Sequence, residues 1–188
     1  RGLRTIIDGM AQRRRFGVTH SGSVERLDGR LISANEAARI TYGVQLMLSF
    51  ALGRFIAPAV PTGLDDDDRV VWQQWAPWMC DPIRGQQGWW SRRDIEGLTV
   101  FADRFLRAWD DPAEHDIVRY LSRHVLAANH GPTTTEARVA MAVAGLEYLS
   151  WVDAVLTRGR DPKEHKNLPA KVRIRELLVH ARIDVSTP

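Results

Sequence analysis

Five times along this chain a helix-starting signal stands just before apolar residues at helical spacing, and that repetition commits most of the sequence to α-helix. Ser33 and Glu36 have the spacing of a capping box, in which a hydroxyl and a carboxylate satisfy the free amides of a helix start. The segment after them, to about Phe55, carries Ala37, Ile40, Val44, Leu46, Met47, Leu48, Phe50 and Ala51. These cover more than one narrow stripe, so this helix is expected in the core, buried on most sides, with Pro58 and Pro61 ending it. Ser91 and Asp94 open a second helix, with Ile95, Leu98, Phe101, Ala102, Phe105 and Trp109 recurring along it. Asp111 caps a third, which has Pro112 in the tolerated first position and runs to Asn129, where Gly131 and Pro132 stop it. Thr133 and Glu136 box a fourth through Val139, Val143, Leu146, Leu149 and Val152 to Gly159. Pro169 opens the last, with Val172, Leu177, Leu178 and Ala181 inward.

Two stretches escape this pattern. In residues 1–32, Phe16, Val18 and His20 alternate, Ser21 to Ser23 break the run, and Val24 to Ile32 holds an Asp28-Gly29 turn. This reads as a short β-hairpin region, the tail of a β-rich domain whose beginning lies upstream, because two or three short strands need something to pack on. From about 62 to 92, Gly63 and Asp65 to Asp68 form a turn into Val70, Val71, Trp72 and Trp75, and Pro77, Pro82, Gly85 and Gly88 prevent regular helix. Trp72, Trp75, Trp78, Trp89 and Trp90 fall in this insertion, either as a stacking platform or ligand pocket or as side chains that pin a long loop onto the bundle. The expected fold is therefore mainly α: a bundle of about five helices over 33–188, with a short N-terminal β-hairpin region and a tryptophan-rich loop insertion.

The 188 residues suffice for one domain with a small appendage, and 44% hydrophobic with 26% charged residues is the balance of a globular chain. No uninterrupted apolar stretch reaches the roughly 20 residues of a membrane helix. The most apolar window, Val44 to Ala59, is broken by Gly53 and Arg54, so no membrane partner is expected. The single cysteine, Cys80, rules out an internal disulfide and a cysteine-rich zinc site and suits a reducing cytoplasm. The first residue is Arg1 and no secretory leader pattern follows it, as expected for a fragment of a longer protein. A net charge of +3 permits contact with nucleic acid, but the excess is small and Asp65 to Asp68 break any uniformly basic face.

Candidate chemistry concentrates on the third helix. His115, Arg119 and Arg123 recur every four residues on one face, and His124 and His130 follow. An imidazole can take or give a proton near neutral pH, and a guanidinium can hold a phosphate with two parallel bonds, a combination suited to RNA chemistry. Two pairs fit an arginine followed by a histidine: Arg119 with His124, and Arg123 with His130. Five positions on a helix set side chains roughly 140° apart, whereas seven return them to one face about two turns away, so Arg123 with His130 is the better catalytic pair. Arg119 and His124 are left as nucleic-acid contacts, and the plain alternative for all four is a solvated helical face. Glu147, within an apolar helix, needs a partner such as an arginine or a helix amide, and a structural salt bridge is expected rather than a catalytic group. The sequence has no glycine-rich phosphate loop, His-Glu-x-x-His pair or nucleophile elbow, and no metal or cofactor is expected.

An ordered series of landmarks goes further. Thr19-His20-Ser21-Gly22, Leu48-Ser49-Phe50-Ala51-Leu52-Gly53, Val71-Trp72-Gln73-Gln74-Trp75, Trp89-Trp90, Phe105 to Trp109, Tyr120, Gly145-Leu146-Glu147-Tyr148-Leu149 and Ile183 to Pro188 resemble a loosely defined family of uncharacterised bacterial proteins of the ApeA type, with a β-rich front and a HEPN-like helical back. The resemblance spans the chain from about Phe16. It implies an anti-phage defence or toxin-type protein with a homodimeric, metal-independent endoribonuclease domain. In such a domain Arg and His from two subunits flank the scissile phosphate and the ribose 2′-hydroxyl is the nucleophile. The family's Arg and His pair is expected on a later helix, beyond Pro188, so this chain is either a nuclease through Arg123 and His130 or the scaffold for one. The other class of function left open is a non-catalytic helical module that dimerises or docks onto a protein partner.

Overall fold

The computed structural model describes residues 22–82, 94–130 and 133–184. The chain is mainly α, and it forms two compact units that divide between Arg107 and Ala108. The sequence boundary at 32/33 falls within the first unit.

In the first unit, the lead-in over 22–33 makes a turn in which the Gly29 amide bonds to the Arg26 carbonyl, and it contains no paired strand. The remainder of the expected hairpin region lies outside the described residues. Arg26 contacts both Asp28 and Glu36, at 2.9 and 3.1 Å. Helix α1, Ala34–Leu52, starts with the expected box: the Glu36 amide donates to Ser33 Oγ at 3.3 Å and the Ser33 amide to Glu36 Oε2 at 2.9 Å. It stops at Gly53, before the prolines expected to end it, because Gly53 takes the left-handed conformation (φ 62°) that closes a helix with little strain in a residue lacking Cβ. Gly43, Gln45, Leu46, Met47, Ser49 and Ala51 are all buried, the broad burial its composition implies.

The buried polar residues of α1 hold the chain that leaves it. Ser49, fully buried, accepts the Ile56 amide at 3.1 Å, and Gln45 donates to the Ile56 carbonyl at 2.8 Å and to Ser49 Oγ at 3.3 Å. Asp81 accepts the Phe55 amide at 2.9 Å and so ties the far end of the insertion to the same turn. Between these points the insertion is more regular than a loop: β1, Thr62–Leu64, pairs antiparallel with β2, Val70–Gln73, with an irregularity at Gly63/Leu64. The acidic run is the hairpin turn, where Asp65 Oδ1 takes the amides of Asp67 and Arg69 at 3.0 and 2.9 Å. Trp78 packs on Tyr42 of α1, with ring centroids 6.1 Å apart, as a side chain pinning a loop would. Trp75 is 78% exposed, while Trp89 and Trp90 lie outside the described residues. Helix α2, Ile95–Asp110, is capped by Asp94, whose Oδ1 accepts the Gly97 amide at 2.8 Å. Phe101 stacks on Phe50 of α1 at 5.7 Å, and Phe105 meets both.

In the second unit, Asp111 accepts the Ala113 amide at 2.8 Å, and helix α3, His115–Asn129, follows that turn. Helix α4, Thr135–Trp151, is capped by Thr134 rather than Thr133, whose hydroxyl turns back to the His130 carbonyl at 2.7 Å. The helix then widens into a π-helical segment, Val152–Thr157, and Gly159 (φ 70°) ends it where the sequence placed the stop. A short helix absent from the sequence reading follows: α5, Pro162–Asn167, is capped by Asp161, which takes the Lys163 and Glu164 amides at 2.8 and 3.0 Å. Helix α6, Ala170–His180, closes the described unit and buries Leu177, but Ala181 is exposed rather than inward. Helix α4 is the hub, packed on both α3 and α6.

The Ser49 knot gives a direct test. Ser49→Ala removes the acceptor for a backbone amide beside a buried side chain and should destabilise the protein by about 1–3 kcal/mol in chemical denaturation.

Candidate functional site

The second unit gathers the chemistry-bearing side chains on α3 and α4. His115 is used structurally: its Nδ1 lies 2.7 Å from the Trp109 carbonyl oxygen, and its ring is 4.1 Å from that of the buried Trp109. Arg119 pairs with Asp116 at 2.8 Å and lies over the Tyr120 ring, 5.2 Å from its centroid. Tyr120, 47% exposed, meets Tyr148 of α4 edge-on at 5.9 Å, and Tyr148 stacks on Trp151 at 6.3 Å. Burial, then the nearby Asp116 carboxylate, raises the Tyr148 hydroxyl above the usual tyrosine range and keeps it neutral. A guanidinium thus tops a ladder of three aromatic rings, with the exposed Arg123 one turn along α3.

Of the other residues picked from sequence, His124 directs Nδ1 to the Tyr120 carbonyl at 2.9 Å, and its Cβ lies 3.0 Å from where a Cβ on Gly145 would stand. It marks the close crossing of α3 and α4 rather than an open contact. His130 occupies the C-terminal cap of α3, its amide bonded to the Ala127 carbonyl at 3.2 Å. Among the described residues, no group of three or more His, Cys, Asp and Glu side chains is arranged to hold a metal ion.

A second polar centre forms where α4, the π-helical segment, α5 and α6 converge, and here Glu147 finds its partner in an arginine, Arg173 of α6 at 2.9 Å. Arg160 pairs with Glu176 at 2.5 Å, and Asp153 holds both Arg158 and His180 at 2.6 Å. His165 of α5 is 1% exposed, and among the described residues neither of its ring nitrogens has a hydrogen-bond partner. Burial, then Arg173 and Arg160, lowers its pKa and favours the neutral ring. Little in the residue pattern announces this centre. Only the Asp161-Pro162-x-Glu164 start signal could have revealed α5, and the polar run Pro162 to Asn167 otherwise reads as surface.

The third feature is a face of α4 left open. Val139, Val143 and Leu146, at helical spacing i, i+4 and i+7, are 57%, 40% and 37% exposed. Glu136 and Glu147 flank a shallow groove there that includes Val139, Ala140, Val143 and Ala144. By length and composition, the continuous helical stretch Thr135–Thr157 could cross a membrane, and 11% of its apolar window is buried. The sequence had placed the most apolar window at Val44 to Ala59 instead.

This is a mainly α chain with a polar centre and an open apolar helix face in its second unit. The YopA central domain family matches residues 2–86. The SPbeta prophage-derived uncharacterized protein YopA of Bacillus subtilis (strain 168) is similar to the chain, at 24% identity over 186 residues. That alignment covers 97% of this chain and 42% of the relative, so the chain spans less than half of that protein's length. No solved structure matches the chain.

The α3/α4 crossing should be sensitive to volume at Gly145. Gly145→Val drives a branched side chain into His124 at a contact already at 3.0 Å for Cβ alone. The expected loss is about 1–3 kcal/mol in urea denaturation, with Gly145→Ala costing less.

Proposed function

We propose that the chain is a helical interaction module of a larger protein and that it self-associates through α4, the Val139, Val143 and Leu146 face being covered by the same helix of a second copy. The observation that carries this reading is the exposure of those three side chains in one line on a well-formed helix. Single exposed apolar residues are ordinary, but a contiguous row at helix-seam spacing is what a partner helix covers. A second copy fits because the row is self-complementary. Two α4 helices running antiparallel about a point between Ala142 and Val143 set Val139 opposite Leu146 twice over, with Ala140 and Ala144 on the flank allowing close approach. Arg138 and Glu147 are already engaged within the chain, by the Ala128 carbonyl and Arg173, so neither requires a charge from the partner.

A second reading has its own support in α3. The HEPN-like resemblance implies a defence-type protein that binds RNA and cuts it without metal, and Arg119 over Tyr120, beside exposed Arg123, offers a cation and an aromatic ring for unpaired bases. In this reading Arg123 and His130 would carry the cleavage, and Arg119 and His124 would contact the strand.

Light scattering after size exclusion tests the first reading: wild type should run as a dimer and Val143→Glu as a monomer with unchanged helical circular dichroism. A monomeric wild type at tens of micromolar would sink it, and binding of that monomer to anionic vesicles would assign the face to lipid instead. For the second reading, Tyr120→Ala should weaken binding of single-stranded RNA by about tenfold, the order expected from losing one stacked base. Cleavage in EDTA abolished by Arg123→Ala and by His130→Ala would add the catalytic step, whereas equal RNA affinity of wild type and Tyr120→Ala would remove the reading.

A further inference from the structure

We propose that His165 makes the corner of α5 and α6 an acid-released latch: a proton on this buried ring would be shut in among arginines, and the corner must open to accommodate it. The geometry carries the argument. His165 is 1% exposed with both nitrogens unpartnered among the described residues, so a charged ring there would have neither solvent nor an acceptor. The charged groups around it come from three elements. Arg173 and Glu176 belong to α6, Arg158 and Arg160 follow the π-helical segment, and Glu147 of α4 stands behind Arg173. Glu176 and Glu147 already hold Arg160 and Arg173, so a carboxylate could serve the imidazolium only by releasing an arginine. On α5 itself, Lys163, Glu164 and Lys166 are exposed, and Asp161 is occupied in capping.

The sign follows from linkage. Burial and the arginines lower the ring's pKa in the closed corner, so the open corner binds the proton more readily. Closure is therefore fully favoured above the ordinary histidine value of about 6.5 and loses strength as pH falls through that value toward the lowered one. His180, the other histidine of this corner, lies 2.6 Å from Asp153 and is not among the groups around His165.

Hydrogen exchange on the whole chain, corrected for intrinsic pH dependence, reads the latch between pH 7.5 and 5. Protection of the Leu177, Leu178 and Val179 amides in wild type should fall by about tenfold on acidification, while that of Leu46 and Met47 in α1 changes little. His165→Leu should abolish the pH dependence on α6. An equal loss in His165→Leu would overturn the proposal, as would constant protection in wild type. Should the variant not fold, the wild-type ring reports by NMR: its Cε1–H resonance should remain that of neutral imidazole for as long as α6 amides are protected, and a ring that protonates under full α6 protection would refute the latch.

Discussion

The second unit depends on how closely α3 can approach α4 at Gly145. A Cβ at that position would stand 3.0 Å from the Cβ of His124, tighter than ordinary packing, so a side chain there would force the two helices to give by a few tenths of an ångström. The ladder of Tyr120, Tyr148 and Trp151 follows from it, since Tyr120 and Tyr148 come from the two helices that meet there. The arrangement of α4 follows too. One side faces α3, another receives α6 through Glu147 and Arg173, and the row from Val139 to Leu146 is left over.

Much of the fold was legible because helix starts are local. Ser33 with Glu36, Asp94 and the stop at Gly159 act on backbone groups within a few residues, and each does in the structure what its spacing implies, whereas Asp111 closes a turn and the helix expected from Pro112 begins only at His115, after Glu114. The misses have equally local causes. Two adjacent threonines offered two caps, and Thr134 took the role because Thr133 turns back to the His130 carbonyl. Val70 to Gln73 read as an excursion because its pairing partner, Thr62–Leu64, is only three residues long and contains a glycine. Helix α5, with six residues, is too short to show an apolar period at all.

The candidate site was legible only in part, for a different reason. That Glu147 needs a partner follows from the cost of a half-buried carboxylate, but that the partner is Arg173 depends on a contact across 26 residues that no spacing encodes. His165 lies in a run of polar residues whose composition says surface, yet it is buried, on a short helix that packs on the π-helical segment and with Arg173 and Glu176 of α6 nearby. In α3 the equal spacing of His115, Arg119 and Arg123 suggested one functional face, yet the first is bound to Trp109, the second to Asp116, and the third is exposed.

These assignments divide α4 into two surfaces with opposite requirements. Toward α6 it carries a carboxylate matched by Arg173, which lies among the cations around His165, the side where the proposed latch would respond to protons. Along Val139, Val143 and Leu146 the exposed groups are hydrocarbon, whose removal from water depends on area and hardly on pH. Because both sides belong to one continuous helix, loosening α6 in acid would remove a support from the same element that presents the apolar row. A partner seated on that row would in turn favour the ordered helix and, by linkage, the closed corner. On the two proposals together, acid and the partner would act against each other through α4.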